Sequence, residues 1–174
     1  MATEERAFQP LNTAVLTVSD SRTEANDKSG QLLVDRLTSA GHTIGDRRIV
    51  RDDRYAIRAV VSEWIARADI DAVIATGGTG LTGRDGTPEA LTPLFDKTIE
   101  GFGEIFRAIS FEEIGTSALQ SRALAGVANR TFVFALPGSS GACRTAFDRI
   151  IRDQIDYRTR PCNLVELRPR LDER

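Results

Sequence analysis

Imidazole is nearly missing from this sequence: among 174 residues, His42 is the only histidine. A zinc site built on histidines, or a serine triad with a histidine base, is therefore excluded as the organising chemistry. Thiol is almost as scarce. Cys143 and Cys162 are the only cysteines, too few for a disulfide framework in a chain of this length. No apolar run approaches the length that spans a bilayer, and the opening MATEERAFQP lacks the basic start and apolar stretch of a signal peptide. We expect a cytoplasmic protein with no membrane partner. Neither sign of charge dominates, since 23 Lys and Arg stand against 25 Asp and Glu for a formal net charge of -2. Without a basic excess there is no electrostatic footprint for nucleic acid, which is excluded as a partner class. The sequence has no G-x-x-x-x-G-K-[ST] loop either, so it is no P-loop nucleotide triphosphatase. Carboxylates, hydroxyls, arginines, backbone amides and a borrowed metal remain to carry any chemistry. His42 follows Gly41 at an expected helix-to-strand junction, where it reads as a surface turn residue.

What is present is the pattern of a single α/β domain over 1–174, with an N-terminal arm at 1–10. Ala14 to Val18, Ala72 to Ala75 and Phe132 to Leu136 are continuous apolar runs, as strands buried on both faces require. Thr43 to Val50 is more polar and reads as a strand nearer an edge. Ile57, Val60, Val61, Trp64, Ile65 and Ala68 recur at helical spacing, as do Phe147, Ile150, Ile151 and Ile155. Leu33 and Leu37, then Leu91, Leu94 and Phe95, then Phe102, Ile105, Phe106 and Ile109 mark three more helices. The alternation predicts a three-layer α/β/α sandwich with a mostly parallel sheet. A short antiparallel strand is expected at Ala123 to Val127, against Thr131 to Leu136. The tail at 158–174, with Pro161 and Pro169, is expected to run extended along the surface or a neighbouring subunit.

In open α/β sheets a ligand sits outside the carboxyl ends of the strands. Four polar loops fall at such ends: Ser19-Asp20-Ser21-Arg22, Arg51-Asp52-Asp53-Arg54, the stretch Thr76 to Gly86, and Pro137-Gly138-Ser139-Ser140-Gly141. The third is the richest. Its glycines let backbone amides approach an anion, and its hydroxyls add donors. Thr87 suits the N-cap of the next helix and Pro88 its first position, aiming that helix dipole at the same rim. Ser139 or Ser140 suits the cap of the last helix. Gly78-Thr79-Gly80-Leu81-Thr82-Gly83 spells the dinucleotide fingerprint. Arg84-Asp85-Gly86 lengthens the loop before any helix, however, so the match is accidental, and a nicotinamide-dependent oxidoreductase ranks last among the readings. Asp52 and Asp85 are the candidate pair for Mg²⁺ opposite phosphoryl groups, with Asp20 and Asp53 weaker candidates. Arg22, Arg84 and Arg122 suit bidentate phosphate contacts, and Glu89 an acceptor role toward a polar heterocycle.

Taken in order, several of these stretches resemble the molybdopterin-binding MogA/MoaB family over almost the whole chain. They are Thr17-Val18-Ser19-Asp20, Thr76-Gly77-Gly78-Thr79-Gly80, Arg84-Asp85-Gly86-Thr87-Pro88-Glu89-Ala90, Gly101-Phe102-Gly103-Glu104, Ser121-Arg122 and Pro137-Gly138-Ser139. Arg54 to Arg58, Ser110 to Ser117 and Arg158 to Asn163 are similar to the MoaB branch in particular. The resemblance implies a molybdopterin adenylyltransferase: the terminal phosphate of molybdopterin attacks the α-phosphate of ATP with Mg²⁺, giving adenylylated molybdopterin and pyrophosphate. It implies catalytic and metal-binding roles for Asp52 and Asp85. The implied ligand-binding set is Ser19, Asp20, Thr76, Gly77, Gly78, Thr79, Gly80, Thr87, Pro88, Glu89, Ser121, Arg122, Pro137, Gly138 and Ser139. Gly86 stands where the family often carries a larger residue. A homo-oligomer, trimer or hexamer, is also implied, as are contacts with other molybdenum cofactor biosynthesis proteins. The alternative within the same resemblance is a non-catalytic molybdopterin carrier or scaffold.

Overall fold

The computed structural model describes residues 6–173; the first five residues of the expected arm lie outside them. β1 (Asn12–Val18), α1 (Lys28–Ser39), β2 (Thr43–Val50), α2 (Arg54–Ala66) and β3 (Ala72–Thr76) alternate as the apolar runs require. Next come α3 (Thr87–Leu91), the two-residue β4 (Lys97–Thr98), α4 (Glu100–Ile114), β5 (Leu124–Ala128) and β6 (Thr131–Leu136). The last helix opens as α5 (Ser140–Ala146), passes through one π turn at Phe147–Ile151 and ends as α6 (Arg152–Gln154). The six strands form one sheet in the order β2-β1-β3-β6-β5-β4. Its first four strands are parallel, while β5 runs antiparallel to β6 and β4 antiparallel to β5. β2 is an edge strand, as its polar residues suggested.

Two cores follow from the alternation of side chains along each strand. Val15, Ile74 and Phe134 face one side, where α1, α4 and the last helix add Leu33, Leu37, Phe106, Phe147 and Ile151. Leu16, Val73 and Val133 face the other, covered by Ile57, Val61 and Trp64 of α2 and Leu91 of α3. The result is the three-layer sandwich, with β5 and β4 as the antiparallel part. Among the described residues no helix is long and apolar enough to cross a membrane.

Three local expectations need correction. The tail is not extended: Val165–Arg170 forms a 3-10 turn and Val165 is buried against the sheet, with Leu164 and Leu171 packing beside it. Asn163 fixes the approach, donating to the carbonyls of Tyr157 and Thr159 while accepting from the amide of Glu166. The prolines concealed three apolar side chains spaced to cover one end of the core. Nor does Thr87 cap α3. Gly86 holds the cap position, and Thr87 turns its hydroxyl to the carbonyl of Gly77.

His42, third, is buried rather than on the surface. Its Nδ1 accepts from the amide of Leu11 at 3.1 Å, satisfying a buried donor just before β1. Burial lowers the imidazole pKa below its ordinary value, only partly opposed by the charge of Asp156. Folding therefore favours the neutral ring, and the unfolded chain takes up the proton first. Stability is expected to fall as pH drops through about 6.5, the unfolded histidine value. His42→Asn keeps an acceptor without the titration. The difference in denaturation midpoint between the two proteins should shift steadily in the variant's favour from pH 8 to pH 5.5. A constant difference would contradict this assignment.

Candidate functional site

Parallel pairing brings the carboxyl ends of β1, β3 and β6 together, with Thr17 beside Thr76 and Thr76 beside Leu136. The chain leaving β3 turns at once through Gly77 (φ 104°) and Gly78 (φ 65°), conformations that residues with a Cβ rarely adopt. Space excludes a side chain as well. A Cβ on Gly77 would lie 2.1 Å from the carbonyl oxygen of Val18, and one on Gly78 would lie 2.4 Å from the hydroxyl of Thr87.

Hydroxyls on both flanks hold this turn. Thr76 Oγ1 donates to the carbonyl of Pro137 at 2.9 Å, tying β3 to the loop after β6. It also sits 3.1 Å from the buried Cys143 Sγ, whose pKa burial pushes up to about 11, so that thiol stays neutral. Thr87 is fully buried and donates its hydroxyl to Gly77 and its amide to Gly78. Ser139 caps α5 by accepting from the amide of Ala142. Ser29 donates to the carbonyl of Gly138. Thr76 and Thr87 are thus fastenings of the loop.

The loops enclose a cleft of about 690 Å³. Of the residues expected to bind ligand, Ser19, Thr76, Gly77, Gly78, Thr79, Gly80, Ser121, Pro137, Gly138 and Ser139 line it, together with Asp85. Asp20, Asp52, Thr87, Pro88, Glu89 and Arg122 do not. Arg122 is a strut instead. Its Nε donates to the carbonyl of Gly80 at 2.7 Å, one terminal nitrogen to the carbonyl of Asp85 at 2.9 Å, and the other pairs with Glu89. That explains why neither Arg122 nor Glu89 faces the cleft: each neutralises the other behind the loop. Asp20 is likewise paired, with Arg84 at 2.5 Å.

The two aspartates differ. Asp85 accepts from both the hydroxyl and the amide of Thr82, at 2.6 and 2.8 Å, and these bonds hold its carboxyl below the usual range. It stays ionised at the mouth of the glycine loop. Asp52 lies against Gly78 and accepts from the amide of Gly86 at 3.2 Å. Burial pushes its carboxyl up; the Gly86 amide opposes the rise, and the charges of Asp85 and Asp20 add to it. The charges of Asp20 and Asp85 thus reach Asp52. Among the described residues no group of three or more histidines, cysteines or acids stands ready as a metal cage.

The sequence reading missed one wall of the cleft. Phe106, Ser110 and Glu113 of α4, then Ser117 in the turn after it, line the side opposite the glycine loop, with Thr145 of α5. Their spacing of four, three and four is a helical face, and its polar members were the available signal.

Comparison with known proteins supplies a family for this geometry. The family model described as "probable molybdopterin binding domain" matches residues 14–157. Molybdenum cofactor biosynthesis protein B of Escherichia coli K12 is 61% identical over 156 residues, covering 90% of this chain and 92% of that protein. A crystal structure of a molybdenum cofactor biosynthesis protein B superposes with a TM-score of 0.84 at 46% identity, covering 86% of this chain and 94% of the other. The tungsten cofactor synthesizing protein MoaB from Pyrococcus furiosus follows at a TM-score of 0.76 and 38% identity, covering 84% and 94%. By fold, loop order and sequence, the chain belongs to the molybdopterin-binding family of molybdenum cofactor biosynthesis proteins, in its MoaB branch.

Proposed function

We propose that this protein transfers the adenylyl group of ATP to the terminal phosphate of molybdopterin. A phosphate oxygen of molybdopterin forms the new bond to the α-phosphorus of ATP, the bond to the β-phosphate breaks, and pyrophosphate leaves. The observation that carries this reading is the glycine turn after β3, which brings Gly78 and Thr79 to the cleft next to an ionised Asp85, while the amide of Gly77 is used by the carbonyl of Leu136. Backbone amides in such a turn suit phosphate oxygens. A phosphate is already a nucleophile at neutral pH, so no general base is needed, and catalysis comes from alignment and charge neutralisation.

Mg²⁺ fits the donor set. This ion is commonly held by one or two carboxylates plus substrate phosphates rather than by a full protein cage. Asp52 and Asp85 supply two; burial pushes the Asp52 carboxyl up, and the charges of Asp85 and Asp20 add to that push. The Asp52 and Asp85 carboxylates would hold the ion, which supplies neutralisation of phosphoryl charge. Asp85 acts at the rim of the cleft and Asp52 behind the loop, where its bond to Gly86 positions the start of α3.

The same reading carries a homo-oligomer, trimer or hexamer. Ile105, Phe111 and Leu119 project into solvent along α4 and the turn after it, with Leu119 81% exposed. Apolar area of that kind favours burial against another copy.

Protein incubated with molybdopterin, ATP and Mg²⁺ is expected to release pyrophosphate and form the adenylylated product. Asp85→Asn should lower the rate by about a hundredfold or more, the scale for loss of one electrostatic stabiliser. Molybdopterin binding without pyrophosphate release would instead support the carrier role. Asp52→Asn should slow the reaction too, yet raise the denaturation midpoint at pH 7. The carboxylate form of Asp52 works against the fold, so that gain should shrink as pH falls through the carboxylate range and Asp52 takes its own proton. In light scattering the unaltered protein should run as a trimer or larger, and Leu119→Lys as a smaller species. A monomer in both cases would contradict the assembly.

A further inference from the structure

Asp52 stands outside the cleft, behind the glycine loop. A Cβ on Gly78 would lie 2.9 Å from its Oδ2 and 3.0 Å from its Oδ1, so the loop packs directly on the carboxylate. Oδ1 accepts from the amide of Gly86, while Oδ2 has no hydrogen-bond partner among the described residues. On the Gly86 side there is room. A Cβ there would meet Asp52 Oδ1 at 3.8 Å, the carbonyl oxygen of Arg84 at 3.8 Å and the Cβ of Arg54 at 4.0 Å. Gly86 has φ -118°, a value open to any residue, so neither backbone conformation nor crowding calls for glycine. Its missing side chain leaves open the space beside Asp52 and Arg54.

The other cations near this side of the loop are committed. Arg84 pairs with Asp20, and Arg122 with Glu89 and the carbonyls of Gly80 and Asp85. Arg58 donates to the carbonyls of Ala90 and Glu89. Arg54 differs. It is the first residue of α2, it is exposed, and its guanidinium makes no hydrogen bond or ion pair among the described residues. Its charge reaches Glu89 without contact. An anion approaching from outside the loop thus meets a carboxylate with a free oxygen and an uncommitted guanidinium. A bare anion would be repelled by Asp52. One that carries Mg²⁺ would offer its cation to Asp52 and its remaining oxygens to Arg54, which can meet two of them with parallel N–H bonds.

Resting on the adenylyl transfer proposed above, we infer that the outer face of the loop, between Asp52, Gly86 and Arg54, holds the pyrophosphate leaving group of ATP, with Arg54 as its anchor. The terminal phosphate of molybdopterin then lies in the cleft beside Asp85, and the β- and γ-phosphates lie outside it beside Asp52. In-line displacement asks for this division, because the attacking and leaving oxygens stand on opposite sides of the α-phosphorus. Gly86, between Asp85 in sequence and Asp52 in space, marks where the chain of phosphates crosses from one face to the other. The two aspartates thereby take distinct work, Asp85 on the entering side and Asp52 on the leaving side.

The test uses the full chain and two probes followed by calorimetry: inorganic pyrophosphate with Mg²⁺, and a pterin monophosphate. The unaltered protein is expected to bind both. Arg54→Gln should weaken pyrophosphate binding by about tenfold, the loss expected for a charge-assisted hydrogen bond, and raise the KM for ATP in proportion. Affinity for the pterin monophosphate should not move. Arg54→Lys, which keeps the charge but not the planar fork, should recover part of the loss. Gly86→Leu fills the passage without changing charge and should weaken pyrophosphate binding in the same direction. Arg54 is exposed, so its variants should keep the fold, and denaturation midpoints check all three proteins. Unchanged pyrophosphate affinity in Arg54→Gln and Gly86→Leu, equal losses for both probes, or no saturable pyrophosphate binding by the unaltered protein would overturn the assignment, and adenylylated product from the unaltered protein would leave the reaction standing. Failure of the unaltered protein to release pyrophosphate from ATP with molybdopterin present would overturn the proposed reaction and the leaving-group site with it.

Discussion

The backbone of Gly77 passes so close to the carbonyl oxygen of Val18 that a methyl group there would sit 2.1 Å from it. Much of the functional architecture depends on this contact. It lets the chain leaving β3 fold back over the end of β1 instead of continuing outward. The loop then lies across the carboxyl ends of three parallel strands, and the cleft opens between it and α4. Thr76 and Thr87 lock the turn from either side, using hydroxyls already desolvated by the sheet and by α3. A buried hydroxyl with a partner rigidifies, whereas one without a partner would destabilise. The price of this rigid rim is that it tolerates no side chain at its tightest point.

Charge around the loop is divided between two faces. Behind it, Arg122 joins the carbonyls of Gly80 and Asp85 to the carboxylate of Glu89. In front, Asp85 keeps its negative charge through bonds from Thr82. Asp52 stands off the cleft and is raised in pKa by burial and by its acidic neighbours. Burial works against the carboxylate form of Asp52, and the charges of Asp85 and Asp20 add to that push, while Gly86 and Arg84 oppose it.

Much of the fold was legible because its signals were local. Phe132 to Leu136 is apolar at every position, which only a doubly covered strand needs, and the polar residues of Thr43–Val50 belong to an edge. The glycines of the third loop were legible for the same reason, since few other contexts call for them in such number. Features set by distant partners were not. His42 was read as exposed because the Leu11 amide that it satisfies is 31 positions away. The role of Arg122 depends on carbonyls 37 and 42 positions off, and a backbone acceptor leaves no trace in residue types. Asp52 was grouped with Asp85 by charge; the structure puts Asp85 on the cleft and Asp52 off it, because a strand-end position cannot say which side of the loop the carboxylate takes. The tail hid three core residues among prolines and arginines.

The central claim is that the glycine-lined rim receives the phosphate of a pterin ligand. Backbone amide resonances test it most directly, because each amide reports its own hydrogen bond. On titration with a pterin monophosphate, the amides of Gly78, Thr79 and Ser139 are expected to shift together and to saturate at one common affinity. Asn129 and Arg130, in the turn between β5 and β6 at the opposite end of β6, should stay in place. Saturable shifts at that opposite turn, with the glycine loop unmoved, would contradict the account.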